Sequence, residues 1–161
     1  MSTLLRVAEF LSLSVWLGSV VFLSFAVAPG AFAVLGSREQ AGAVVGMALG
    51  RLHWIGIMCG VVFLVARALG AKSLPALTDL AVLAVVLMLL LTLVSQFAVT
   101  PRIAHLRAEM KSQFGSVDAA PPGNELRVQF NRLHQYSVWL ESGVLLAAVL
   151  ALTLLARGHP R

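Results

Sequence analysis

Four apolar runs, each about 20 residues or longer, constrain this chain more than anything else in it. They cover residues 7–28, 41–66, 80–99 and 136–156. At about 1.5 Å per residue, each reaches across roughly 30 Å of hydrocarbon. Hydrocarbon offers no partner to a backbone N–H or C=O, so each run must satisfy its own by forming a helix. The predicted fold class is therefore all-α: an integral membrane four-helix bundle, with a long polar, partly helical connection at 100–135 between helices 3 and 4. Composition agrees, with 59% apolar and 12% charged residues. A soluble domain carries roughly 45–50% and about 25%. That excludes a disordered chain, an ordinary soluble enzyme and an acidic interaction domain.

The punctuation of the runs follows from proline and glycine. Pro29 and Gly30 are expected to end the first span, Thr100 and Pro101 the third, and Gly70 and Pro75 to mark the second connection. The first run is too long for the apolar core of a signal peptide, and Glu9 interrupts its start, so a retained helix is expected. Within the long connection, Ile103, Leu106 and Met110 recur at helical spacing among charged neighbours. This predicts a helical extension of the third span, lying at the membrane surface. Residues 115–124, with Pro121-Pro122-Gly123, predict a mobile turn, and residues 125–134 the watery start of the fourth helix. No internal repeat or separate soluble domain is evident, so residues 1–161 are read as one four-span domain.

The net charge of +5 does not mark a nucleic-acid binder. The basic residues flank apolar runs and are not interleaved with aromatics, so they read as orientation signals. Arg6, Arg67, Lys72, Arg157 and Arg161 fall on one face. Arg38, Arg102, Arg107, Lys111, Arg127 and Arg132 fall on the other. The near balance leans only slightly to a cytoplasmic long connection, and the expected setting is a bacterial inner (cytoplasmic) membrane. The single cysteine, Cys59, excludes an internal disulfide and a CxxC site.

Polar residues inside spans are costly, so they carry the information. Glu9, Ser12, Trp16 and Ser19 form one stripe on the first helix, with Glu9 expected to be exposed or paired near Arg6. On the second helix, Gly42, Gly46 and Gly50 form a double small-xxx-small pattern, expected to pack closely against another helix, with His53 on the same face. On the fourth, Arg127, His134 and Glu141 stand at heptad spacing, with Asn131 and Ser137 beside them. By depth, Arg51, His53, Gln96, Arg102, His105, His134, Ser137 and Glu141 gather toward the end that bears the long connection. Two readings stand. One is a set of polar pairs fixing helix register, for example Arg51 with Glu141. The other is a site for a metal, a haem or an anionic ligand. His53, His134 and His105 are the metal candidates, but they share no HxxxH spacing, so such a site needs assembly across helices.

Three segments carry a family resemblance. Trp16-Leu17-Gly18 leads through Phe22 to Pro29 and Phe32-Ala33-Val34-Leu35. Thr100-Pro101-Arg102-Ile103 has Met110 downstream. Phe130-Asn131-Arg132-Leu133-His134 has Ser137 following. In order and spacing these resemble the transmembrane protein 205-like family, a four-span domain of unknown function. The family commonly has Asn where this chain has Glu141. The resemblance implies no settled reaction; it suggests transport or trafficking, since the animal member is associated with tolerance of platinum drugs. It places Pro101, Arg102, His134 and Ser137 on family positions. A more distant similarity runs to copper-resistance D-type proteins and the membrane protoporphyrinogen oxidase, bundles with intramembrane histidine.

Three functions remain open on this reading. One is a non-enzymatic membrane protein for transport or for metal or drug tolerance. The second is a b-type haem or copper redox protein using His53, His134 and His105. The third is a structural subunit whose Gly42/Gly46/Gly50 face meets a second copy or a membrane partner. No nucleophile–base pair, phosphate loop or dinucleotide fingerprint points to an enzyme.

Overall fold

The computed structural model describes residues 2–71 and 79–157. Lys72, Pro75 and Arg161 of the sequence reading lie outside them. Among the described residues there are helices and turns and no strand. Four helical stretches are long and apolar enough to cross a membrane: Thr3–Val34, Arg38–Gly70, Leu80–Phe114 and Glu125–Arg157. The chain is thus an all-helical protein of integral membrane type. We label its α-helical segments α1 (Thr3–Phe22), α2 (Ala28–Val34), α3 (Arg38–Gly70), α4 (Leu80–Val94), α5 (Thr100–Phe114) and α6 (Glu125–Arg157).

Polar side chains start the helices where water is available. Ser37 accepts from the Gln40 N–H at 3.1 Å and opens α3, and Asp79 accepts from the Val82 N–H at 2.9 Å and opens α4. Each satisfies a donor that has no partner inside its helix. Gly115 ends α5 with φ of 81°, a left-handed conformation that glycine adopts without steric cost.

Pro29 and Pro101 do not end their helices. A five-residue π-helical turn precedes each: Leu23–Val27 between α1 and α2, and Ser95–Val99 between α4 and α5. The Ala28 N–H bonds to the Leu23 carbonyl, and the Thr100 N–H to that of Ser95. Each proline follows directly on the residue that closes this wider bond. The wide turn moves aside the carbonyl against which the ring would clash, and the missing N–H falls at a fresh helix start. The helix therefore runs through.

The extension of the third span also differs from expectation. Leu106 and Met110 face α6 rather than a membrane surface. They form a small core with Ala120, against which Phe114, Val117, Leu126, Phe130 and Leu133 pack. The turn at 115–124 is tied down: Arg127 Nη1 donates to the carbonyls of Asp118 and Ala120. The long connection is thus an antiparallel helical hairpin standing on the bundle.

In the bundle, α1 packs on α3, and α4 on α6. Leu13, Trp16, Val20, Phe63, Val85, Met88, Val144 and Ala148 form the centre of the core. Large apolar side chains outside it, such as Leu83, Leu90, Val61 and Leu146, are exposed. In lipid that surface meets a solvent of its own kind, so the bundle is held by close packing and polar contacts more than by apolar burial.

The close packing uses other glycines than expected. A Cβ at Gly46 or Gly50 would meet nothing within 4 Å. At Gly56 it would lie 2.5 Å from Trp16 Nε1, and at Gly60 2.5 Å from a Leu89 methyl. Leu89 can turn aside, but Trp16 is fully buried and cannot. Gly56→Ala is therefore expected to cost about 1–3 kcal/mol through overpacking. Gly46→Ala and Gly50→Ala should be neutral or slightly stabilising, since alanine is the better helix former. Thermal unfolding of the purified protein in detergent compares the three. Equal melting temperatures for Gly56→Ala and Gly50→Ala would contradict this account of α1–α3 packing.

Candidate functional site

Of the polar residues expected to gather, three meet inside the bundle. His53 of α3 is completely buried. Its Nδ1 lies 2.7 Å from Gln96 Oε1, in the second π turn, and its Nε2 lies 2.7 Å from Glu141 Oε1 on α6. With Gln96 presenting its carbonyl, Nδ1 donates to it, and Nε2 and the Glu141 carboxyl share a hydrogen bond whose proton sits on one or the other. With the amide turned over, its nitrogen donates to Nδ1 and a neutral ring donates to Glu141 from Nε2. Either way three spans are joined by side chains whose polar atoms would otherwise be stranded in hydrocarbon. The partner of Glu141 is thus His53 and not Arg51, which is exposed two residues away on the turn of α3.

Glu141 has a second environment. With His134 and Ser137 it lines a cavity of about 800 Å³ at the end that bears the helical hairpin. The walls come from the end of the first span (Leu23, Phe25, Phe32), the start of α3 (Gly42, Val45, Gly46, Leu49), α5 (Ile103, Arg107) and α6 (Arg127, Phe130, Leu145). Gly46 thus faces open cavity space, while Gly42 admits the side chain of Arg107 from α5. The His134 ring lies parallel to that of Phe130, at 4° and 6.4 Å.

Arg51, Arg102 and His105 do not join this arrangement. All three are exposed, and His105 approaches Glu109 on its own helix at 3.5 Å. The three candidate metal histidines are consequently apart: one enclosed by two side-chain partners, one on the cavity wall, one on the outside of α5. Among the described residues, no three His, Cys, Asp or Glu side chains come together as a metal site.

Sequence reasoning passes over Arg107. In the sequence it reads only as an orientation charge, yet its guanidinium rests over Gly42, where a Cβ would stand 2.9 Å from Nη2. Its Cζ also lies 5.8 Å from the centre of the Phe130 ring. The available signal is its place four residues after Ile103 and one after Leu106, beside the apolar stripe.

A second polar cluster closes the opposite end, so the charges do not gather at one end alone. Glu9 is 2% exposed. Its Oε1 lies 3.3 Å from Arg67 Nε, and Arg67 Nη1 lies 3.3 Å from Asp79 Oδ2. Arg6, the expected neighbour, is exposed. Three of the four stripe residues, Glu9, Ser12 and Trp16, are buried, with the Ser12 hydroxyl donating to the Glu9 carbonyl at 3.0 Å, whereas Ser19 is only partly buried and donates to the Val15 carbonyl of its own helix.

These features define a class: a four-span helical membrane protein with a polar triad centred on the buried His53 beside a cavity at one end and an ion-paired cluster at the other. The chain belongs to the DUF4149 family, a domain of unknown function, whose model matches residues 11–112. Neither a curated protein nor a solved structure matches it.

Proposed function

We propose that this chain is a membrane-embedded carrier that takes a small amphiphilic molecule into the cavity beside Glu141, in the service of transport or of drug tolerance. The cavity carries the reading. Its volume of about 800 Å³ falls in the range of small-molecule sites, roughly 300–1,000 Å³. Its walls are mainly apolar with a few charged groups, and it lies between helices of a bundle, where such sites are built. The resemblance to the transmembrane protein 205-like family points the same way, through the association of its animal member with drug tolerance. A haem or copper centre finds less support, because the histidines it would use stand apart.

Gly46 supplies a test. It lines the cavity, and a Cβ added there would have no neighbour within 4 Å, so the cavity itself offers space to a phenylalanine ring. Gly46→Phe should melt near the wild type but lose the thermal stabilisation that amphiphiles of suitable charge give the wild type. Proteoliposome flux of the same amphiphiles should fall at least tenfold, while Arg102→Ala, outside the cavity, should transport normally. If no amphiphile, whether anionic, zwitterionic or cationic, stabilises the wild type, or if Gly46→Phe responds as the wild type does, the cavity is not the site.

A further inference from the structure

Resting on the cavity reading, we propose that the ligand is an anionic amphiphile, a carboxylate or phosphate bearing an apolar tail, and that Arg107 holds its head. Several charges at the cavity already have partners. Glu39 has Lys111 at 3.5 Å, and Glu141 has His53 at 2.7 Å. Arg127 donates to main-chain carbonyls of the hairpin turn. Arg38 and Asp118 are exposed, where water screens them. Arg107 is different. Its Nε is buried without a hydrogen-bond partner, and no carboxylate among the described residues lies within ion-pair distance. The face of Phe130 and the bare backbone at Gly42 lie against it.

A guanidinium with unused donors in a partly apolar site favours an oxyanion. Its planar fork matches carboxylate and phosphate oxygens two at a time, and low local dielectric strengthens the contact. Arg107 stands seven residues beyond Thr100, about 10 Å along the helix. One side of the wall is apolar, with Phe25, Phe32, Val45 and Leu49, the two phenylalanines being exposed, while Ser137 and Glu141 line the other side. A head at Arg107 therefore leaves the tail on apolar surface. A cationic amphiphile would meet Arg107 and find the cavity's half-buried carboxylates, Glu39 and Glu141, already paired.

The shared chemistry has two sources, a phospholipid of the bilayer or a free anionic amphiphile. Equilibrium binding of radiolabelled myristate to the full chain in phosphatidylcholine nanodiscs tests the head, with myristyl-trimethylammonium as the cationic counterpart of equal chain length. Myristate should bind the wild type and resist competition by the trimethylammonium compound. Arg107→Gln should weaken myristate binding ten- to a hundredfold, and Arg107→Lys, which keeps the charge but not the fork, by less. Arg102→Gln should change nothing, and unaltered gel filtration of each variant shows that the fold is kept. Adding phosphatidylglycerol to the nanodiscs separates the sources: displacement of myristate assigns the site to a bilayer phospholipid, and no displacement to a free amphiphile. Binding of both amphiphiles without preference, or undiminished binding by Arg107→Gln, overturns the anion assignment alone. Absence of binding by amphiphiles of every charge overturns the cavity reading beneath it.

Discussion

A His53→Leu variant is expected to lose about 3–5 kcal/mol of stability, which would lower the melting temperature in detergent by many degrees or prevent isolation of folded protein. The size of the effect turns on what is left behind. A neutral hydrogen bond between membrane helices contributes only about 0.6 kcal/mol on average. His53 does more, because its Nε2 answers a carboxylate that is 14% exposed and its Nδ1 answers an amide. Leucine fills the volume but strands both, and the stranded charge dominates. The double variant His53→Leu/Glu141→Gln removes that charge and should recover more than half of the loss. Should the single variant melt with the wild type, the triad would be no part of what holds the spans together. Should the double variant be as unstable as the single, lost packing rather than the stranded carboxylate would be the cause.

The triad is legible from composition because the spans are so apolar. His53, Gln96 and Glu141 are rare exceptions in runs that answer to lipid, and such exceptions must find one another. The start of the third span at Leu80 is legible for the same reason. What is not legible depends on geometry one step finer than the pattern. Arg51 and His53 are two residues apart, about 200° around a helix, and only the placement of neighbouring helices decides which of them faces Glu141. Gly42, Gly46 and Gly50 match a close-packing pattern, yet whether a glycine admits a helix or opens a cavity depends on what stands opposite. Opposite Gly56 stands Trp16; opposite Gly42 stands the flexible Arg107. Pro29 and Pro101 read as stops because a π turn is invisible in apolar periodicity. Arg67 reads as a loop residue because the apolar run ends at residue 66, while α3 continues to Gly70 and carries Arg67 into the bundle.

That last displacement matters most for how the molecule holds its closed end. Arg67 lies between Glu9 of α1 and Asp79, whose other oxygen caps α4, so one guanidinium links three spans. Its Cζ also lies 5.6 Å from the Phe63 ring centre, which favours the cation. Arg67→Met keeps most of the apolar stem and removes the charge. Glu9, 2% exposed, then loses its cation, and the loss should be about 3 kcal/mol or more. Asp79 contributes little of this, since it is 38% exposed and water can replace its partner. Glu9→Gln in the same background should therefore restore most of the stability, whereas Asp79→Asn should restore almost none. Chemical denaturation in mixed micelles reads all four proteins on one scale. Equal rescue by the two neutralising changes would show that burial does not distinguish the carboxylates. On the proposed carrier reading, release of a ligand on the other side requires this linkage to part. Arg67→Met in proteoliposomes should then leak its amphiphile down a gradient faster than the wild type, even where Glu9→Gln has restored the fold, because neutral groups close that end less firmly than the ion pairs do.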